Sequence, residues 1–208
     1  MTRNTKPLTE KVYDSLYREI IDGTITSNDI LTESSLVSRM EVSKSPVREA
    51  LILLCEENVL QAIPRMGYLV VQITPGQVTK LIEARYALEM FMLEKSWPTL
   101  DEVKLAQLKR QRELCKKDEL VNPSVYDNWK RNIEFHTLLG SFSGNDYLLD
   151  ALSRTLKTSA RAANQYFLNV RGIPRGDEDI HDTIVAAVEA RDYDRALAAL
   201  KADIRQIL

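Results

Sequence analysis

The stretch from Ser43 to Ile73 constrains this chain more than any other, because it sets a short cation-bearing helix directly before a β-hairpin. In Ser43-Lys44-Ser45-Pro46-Val47-Arg48-Glu49-Ala50-Leu51, Ser43 is a favourable N-cap residue. Pro46 falls in the first turn, where a missing N–H breaks no helical hydrogen bond. Val47, Leu51 and Leu54 recur at i, i+4 and i+7, which predicts one buried stripe with Lys44, Ser45 and Arg48 lying off it near the N-terminal end. The helix is expected to reach about Asn58. Leu60 to Ile63 and Tyr68 to Ile73 then flank the turn Pro64-Arg65-Met66-Gly67, which predicts a hairpin. Long donors, a short hydroxyl and a positive helix end are what guanine edges and backbone phosphates accept.

Upstream, Val12, Leu16 and Ile20 mark the inner face of a helix over Leu8 to Asp22 that stops at Gly23. Thr32 can cap a second helix running to Met40, with Leu36, Val37 and Met40 facing inward. Three short helices followed by a hairpin make a winged helix-turn-helix, assigned to residues 1–74. Thr74-Pro75-Gly76 breaks the chain, and the remainder is helical in pattern, interrupted at Pro98, Pro123, Gly144 and Gly172-Ile173-Pro174. Helices are expected at about 76–96, 101–118, 124–142, 145–171, 177–190 and 192–208. The whole is mainly α, with residues 75–208 forming an all-α antiparallel bundle of six or seven helices.

At 208 residues, 44% hydrophobic and 28% charged, the chain has the composition of a globular protein with a real core. No run approaches the roughly 18 apolar residues of a membrane span. The polar start Thr2 to Lys6 adjoins no signal-like apolar run, so a cytoplasmic location without membrane contact is expected. Cys55 and Cys115 lack metal-site spacing and sit among apolar neighbours, which predicts buried thiols. Net charge does not favour nucleic acid, since residues 1–73 hold 8 Lys and Arg against 10 Asp and Glu. Placement does: Arg39, Lys44, Arg48 and Arg65 fall at the ends and edges of elements.

The run Glu41-Val42-Ser43-Lys44-Ser45-Pro46-Val47-Arg48-Glu49-Ala50-Leu51, with Arg65-Met66-Gly67-Tyr68-Leu69-Val70 after it, resembles the DNA-binding domain of the GntR family of bacterial transcription regulators. Family members typically read Gly-Val-Ser-Arg-Thr-Pro-Val-Arg-Glu-Ala-Leu there. The helical remainder resembles the ligand-sensing domain of the FadR subfamily. The resemblance implies that Lys44 and Arg48 contact bases and phosphates, that Ser45 supplies a hydroxyl contact, and that Arg65 and Gly67 form the wing on the backbone or minor groove. Arg39 and Ser43 complete the candidate DNA-facing set. Glu41 stands where the family has glycine, at a turn where φ > 0 costs glutamate more. Lys44 stands where the family has arginine, which removes a bidentate fork.

The resemblance also implies a homodimer on a short inverted repeat of double-stranded DNA, repression as the outcome, and control by an effector in the helical domain, which also dimerises. In Glu83-Ala84-Arg85-Tyr86-Ala87-Leu88-Glu89, Arg85 matches an arginine that often meets the effector, which suits a small carboxylate; an Arg85–Glu89 pair at i, i+4 is the alternative. Many subfamily members bind a divalent metal through Asp-x-x-x-His and two later histidines. Here Asn132, His136, His181 and Asp203 occupy those positions, two of them substituted. Two imidazoles, a carboxylate and an amide oxygen suit Zn, Ni, Mn or Fe(II). The same substitutions also describe a lost metal site whose histidines persist as hydrogen-bonded residues. A constitutive DNA-binding dimer and a metal-dependent enzyme on His136, His181 and Asp203, with Glu134 or Asp182 as base, are the competing classes. The enzyme has no nucleophile elbow, phosphate loop or His-Glu-x-x-His to support it.

Overall fold

The computed structural model describes residues 7–121, 125–170 and 180–205, with the side chains of 117–121, 125 and 166–170 outside that description. It divides into two compact units, Met1–Gln72 and Ile73–Leu208. In the first, α1 (Leu8–Ile21), α2 (Glu33–Met40) and α3 (Lys44–Glu56) precede β1 (Leu60–Ile63) and β2 (Gly67–Val70). The periodic stripes are the core: Val12, Leu16 and Ile20 of α1 meet Val47, Leu51 and Leu54 of α3, all buried. Leu36 of α2 is buried with them, whereas Val37 and Met40, expected inside, are half-buried because an eight-residue helix presents barely one face. Cys55 is likewise half-buried rather than buried; Cys115 is buried, and both are free thiols.

The strands pair antiparallel from Leu60↔Val70 to Ile63↔Gly67. The second strand ends at Val70, not Ile73: the pairing closes with the Val71 N–H donating to the Val59 carbonyl at 3.0 Å, and Ile73 joins the core of the other unit. Leu31 adds a one-residue bridge to Tyr68, its N–H donating to the Tyr68 carbonyl at 2.9 Å and its carbonyl accepting from the Tyr68 N–H at 2.8 Å. That bridge dictates Gly67: at φ 129, a Cβ there would lie 2.2 Å from the Leu31 oxygen.

The second unit comprises α4 (Pro75–Ser96), a 3₁₀ turn at Trp97–Thr99, α5 (Glu102–Val121), α6 (Val125–Ser141), α7 (Asp146–Val170), α8 (Ile180–Glu189) and α9 (Tyr193–Arg205). The expected ends at 124, 171, 177–179 and 206–208 fall outside the described residues. Thr74 starts α4 with a capping box to Gln77, and Pro75 costs no helical bond there. The Gln165 side-chain amide accepts from the Ile73 N–H at 2.9 Å and donates to its carbonyl at 2.8 Å, tying the start of this unit to α7. α4 packs on α6, α7 and α9, so residues on its inner face meet side chains from several helices. Among the described residues no helix is long and apolar enough to cross a membrane.

Candidate functional site

Two clusters of charge stand out, one on each unit. On the first unit, Val47, Ala50, Leu51 and Leu54 anchor α3 in the core, which forces Lys44, Ser45 and Arg48 onto its exposed face. Ser43 holds the N-cap position, at φ −69 and ψ 166, but its hydroxyl makes no cap bond. The reason lies in the sequence: Pro46 occupies N3, where the N–H that a serine cap usually engages is missing. Glu41 ends α2 in the left-handed region at φ 53, the conformation the substituted glycine would have adopted freely.

Three cations of this surface, Arg39, Lys44 and Arg48, are held by carboxylates. Arg48 forks onto Glu33, Nε donating to Oε1 at 3.1 Å and Nη2 to Oε2 at 3.2 Å, and the Lys44 Nζ sits 3.2 Å from the same Oε2. Arg39 pairs separately with Glu19 at 2.9 Å. The Ser45 hydroxyl donates to Glu49 at 3.2 Å. Arg65 stands exposed at the hairpin tip with φ 65, and among the described residues it has no ion-pair partner. The requirement for Gly67 is met inside the protein, by the close Leu31 carbonyl. Glu33 and Glu19 carry no signal in the sequence that would tie them to cations far along the chain.

In the second unit, Arg85 and Glu89 of α4, Asn132 and His136 of α6, His181 of α8 and Asp203 of α9 converge in the interior. Of the two sequence readings for Arg85, the Arg85–Glu89 pair is present: its Nε donates to Glu89 Oε1 at 2.6 Å, while its Nη2 reaches Asp203 Oδ2 at 3.4 Å. Its Nη1, buried, has no partner among the described residues. His136 bridges two carboxylates, Nδ1 to Glu89 Oε2 at 2.5 Å and Nε2 to Asp203 Oδ2 at 2.8 Å. Burial alone would push this imidazole down, but the charges of Glu89 and Asp203 outweigh it and hold His136 up at about 9. Against the same burial, His136 and Arg85 keep Glu89 below the usual carboxylate range, and His136 with His181 keeps Asp203 well below it. With both ring nitrogens facing carboxylates, the geometry favours the protonated imidazole of His136, against the Arg85 guanidinium 3.4 Å from Nε2.

Tetrahedral metal–nitrogen bonds of 2.0–2.1 Å place neighbouring donor atoms about 3.3 Å apart. His136 Nε2 and His181 Nε2 lie 3.3 Å apart, His181 Nε2 and Asp203 Oδ1 3.3 Å, and His136 Nε2 and Asp203 Oδ2 2.8 Å. The three residues form a group whose donors all lie within 4.8 Å. Asn132 completes the set in space: its Nδ2 is 3.3 Å from His181 Nε2, and its buried Oδ1 has no partner among the described residues. A half-turn of that amide exchanges the two ends and brings the oxygen to the imidazoles. The Glu89 contact to His136 Nδ1 is the carboxylate backing that metal-bound imidazoles commonly have. The donor set therefore fits a divalent cation in exchange for the His136 proton. Phe135 stacks on His181 with ring centroids 4.3 Å apart, a contact the sequence did not advertise. Of the other acids considered, Glu134 accepts from Gln111 at 3.0 Å, and Asp182 is bound by Arg112 and Lys116, each at 3.1 Å.

A winged helix-turn-helix whose third helix turns Lys44 and Arg48 outward, followed by an α-helical bundle, is the architecture of a DNA-binding transcriptional regulator. Two family models match: bacterial regulatory proteins of the gntR family over residues 8–70, and the FCD domain over residues 80–206. The chain belongs to the GntR family and, through its FCD domain, to the FadR-like subfamily. The HTH-type transcriptional repressor GlaR of Escherichia coli (strain K12) is 29% identical over 196 residues, covering 88% of this chain and 86% of that protein. The uncharacterized HTH-type transcriptional regulator YdhC of Bacillus subtilis (strain 168) is 31% identical over 140 residues, 67% of this chain and 62% of YdhC. The structure of E. coli McbR/YncC shares the fold with a TM-score of 0.76 at 20% identity, covering 97% of this chain and 95% of that one. The matched family and the two curated relatives, GlaR and YdhC, are transcriptional regulators and not enzymes, and the enzymatic alternative ends there.

Proposed function

We propose that this protein is a cytoplasmic repressor that binds a short inverted DNA repeat as a homodimer and releases or engages it in response to a small carboxylate metabolite. Lys44, Ser45 and Arg48 read the major groove, Arg65 and the Gly67 turn follow the backbone, and Arg39 and Ser43 flank the same face. The observation that carries the DNA assignment is the anchoring of α3 by Val47, Leu51 and Leu54, each 0% exposed, which leaves those donors no direction but outward. Repression is supported by the relatives so named, GlaR and the gluconate operon transcriptional repressor of B. subtilis. A two-fold dimer is the arrangement in which one helix per half-site yields useful specificity.

In the helical domain, His136, His181 and Asp203 with the amide of Asn132 hold a divalent metal such as Zn, Ni or Mn. A metal held there would add positive charge that draws a carboxylate, and Arg85 Nη1, without a partner among the described residues, would supply a further donor for it. The test begins with selection of binding sites from random duplexes. Arg48→Ala is expected to abolish binding to the selected site while leaving the circular dichroism unchanged; full retention of affinity would sink the assigned recognition helix. Native mass spectrometry of protein prepared without chelator is expected to show one metal per chain, lost in His136→Ala/His181→Ala. A metal-free chain after Zn, Ni and Mn are offered would leave Arg85 alone to hold the carboxylate. One observation favours a constitutive dimer instead: the two cations Arg85 and His136 balance the two carboxylates Glu89 and Asp203 with no ligand added. Operator affinity unmoved by any metal or metabolite would select that reading.

A further inference from the structure

We propose that Glu33 is a specificity-determining residue of the DNA-reading surface, one that withholds Lys44 and Arg48 from phosphate and reserves them for base edges. The inference rests on the reading that these two cations face DNA. Glu33 lies in the first turn of α2, where the capping box of Thr32 fixes the helix end and the helix dipole favours an ionised carboxylate. Its oxygens take three donors: Oε1 takes Arg48 Nε, and Oε2 takes both Arg48 Nη2 and Lys44 Nζ. The fork holds one edge of the guanidinium and leaves Nη1 for a further acceptor, such as guanine O6 or N7.

The carboxylate changes what the surface prefers. A phosphate approaching Arg48 or Lys44 meets a negative charge about 3 Å behind both donors, whereas a neutral base edge is repelled far less. The pairs are also exposed, with Lys44 and Arg48 at 64% and 54%, so DNA can share the cations without opening a core. The device matters in this chain because residues 1–73 carry a net negative balance, 8 basic against 10 acidic, and binding to arbitrary DNA depends on a few cations. Arg39 is clasped in the same way by Glu19, and Arg65 is left as the unclasped cation of the candidate set among the described residues.

The experiment measures binding of full-length protein to two labelled duplexes of equal length, a selected operator and a random sequence, from 50 to 300 mM KCl. Glu33→Gln keeps the shape and removes the charge. It is expected to bind the random duplex about tenfold more tightly near 100 mM salt, to steepen the log K against log salt slope by about one or two, and to lower the operator-to-random ratio about tenfold. Glu33→Asp keeps the charge and is expected to keep the random-duplex affinity near that of the parent. A Glu33→Gln protein whose random-duplex affinity, slope and ratio all stay within twofold overturns the proposal. So does one that loses operator and random binding in parallel, which marks Glu33 as a brace for α3 and nothing more. Arg48→Ala separates the two levels: if it retains operator affinity, the assignment of α3 has failed, and if it loses affinity while Glu33→Gln changes nothing, only the role of Glu33 has failed.

Discussion

Both units of this protein gather carboxylates around cations, and they do so in opposite surroundings. Glu33 holds Lys44 and Arg48 where water reaches all three, while Glu89 and Asp203 hold Arg85 and His136 where side-chain exposure is between 0% and 6%. The chemistry is the same and the consequences are not. A solvated pair contributes little to stability and can exchange partners, which suits a surface that must meet DNA. A buried group of charges cannot lose one member without stranding another, which suits a fixed arrangement in the interior. The two clusters show that burial, more than residue type, decides whether an ion pair is an exchangeable contact or a permanent part of the architecture.

The largest expected effect tests that contrast directly. Glu89→Ala leaves Arg85 Nε and His136 Nδ1 facing an apolar gap, and should lower the unfolding free energy by about 3–5 kcal/mol. Both tryptophans, Trp97 and Trp129, lie in the second unit, so their emission during denaturation follows that unit alone. Glu33→Ala should leave the same transition where it was. A Glu89→Ala midpoint indistinguishable from the parent would erase the distinction drawn between the clusters.

Acidity offers a second probe of the buried set. His136 is raised from 6.5 to about 9 in the folded state, so its contribution is fully present below pH 6.5 and is lost as pH rises towards 9. The span corresponds to on the order of 3 kcal/mol at about 1.4 per tenfold. Glu89 and Asp203 are lowered, so their contribution is present above their ordinary values of 4.5 and 3.8 and is lost as pH falls through the folded ones. In the presence of a chelator, the second unit should be most stable between about pH 5 and 6.5 and weaken on both sides, as Trp-detected unfolding across that range would show. A flat profile from pH 6 to 9 would mean that His136 is neutral.

Part of this was legible in the sequence. Period-3.6 stripes such as Val12-Leu16-Ile20 and Val47-Leu51-Leu54 report on neighbours within the same helix, and Thr74-Pro75 and Gly144 announce helix boundaries, so the elements could be placed. The scarcity of histidine drew attention to His136 and His181, and the family resemblance connected them to Asn132 and Asp203. What the sequence hides is contact between elements. Leu31 makes a bridge of a single residue, too short for any alternation, and with φ 129 it explains why Gly67 cannot carry a side chain. Glu33 reaches Arg48 across 15 residues and Glu89 reaches His136 across 47, and no periodicity links such positions. The missing Ser43 cap was hidden differently: both facts needed, a serine at N-cap and a proline at N3, were in view, but their conflict depends on the helix beginning at Lys44.

Two smaller effects show where the first unit does keep its stability, in backbone geometry rather than in charge. Gly67→Ala forces a Cβ against the Leu31 carbonyl and demands φ 129 of an L-residue, and should cost about 2–3 kcal/mol. Hydrogen exchange would register it as lost protection at the Leu31 and Tyr68 amides with the second unit unchanged. Protection equal to the parent would mean that the hairpin shifts as a body and that the bridge is dispensable.

Glu41→Gly is the smallest and runs the other way. Glu41 sits at φ 53, where an L-residue bears a steric cost of about 1–2 kcal/mol that glycine escapes, while glycine gives up some of that gain through the entropy of the unfolded chain. The balance is a stabilisation of about 0.5–1 kcal/mol, seen as slower amide exchange in α2 and α3. Because the turn sets the angle between these helices, the substitution also separates strain from function. If it stabilises the unit and leaves operator affinity unchanged, the strained turn is a tolerated cost. If it stabilises the unit and weakens operator binding, the strain at Glu41 holds α3 at the angle its donors require, and the glutamate is part of how this surface reads DNA.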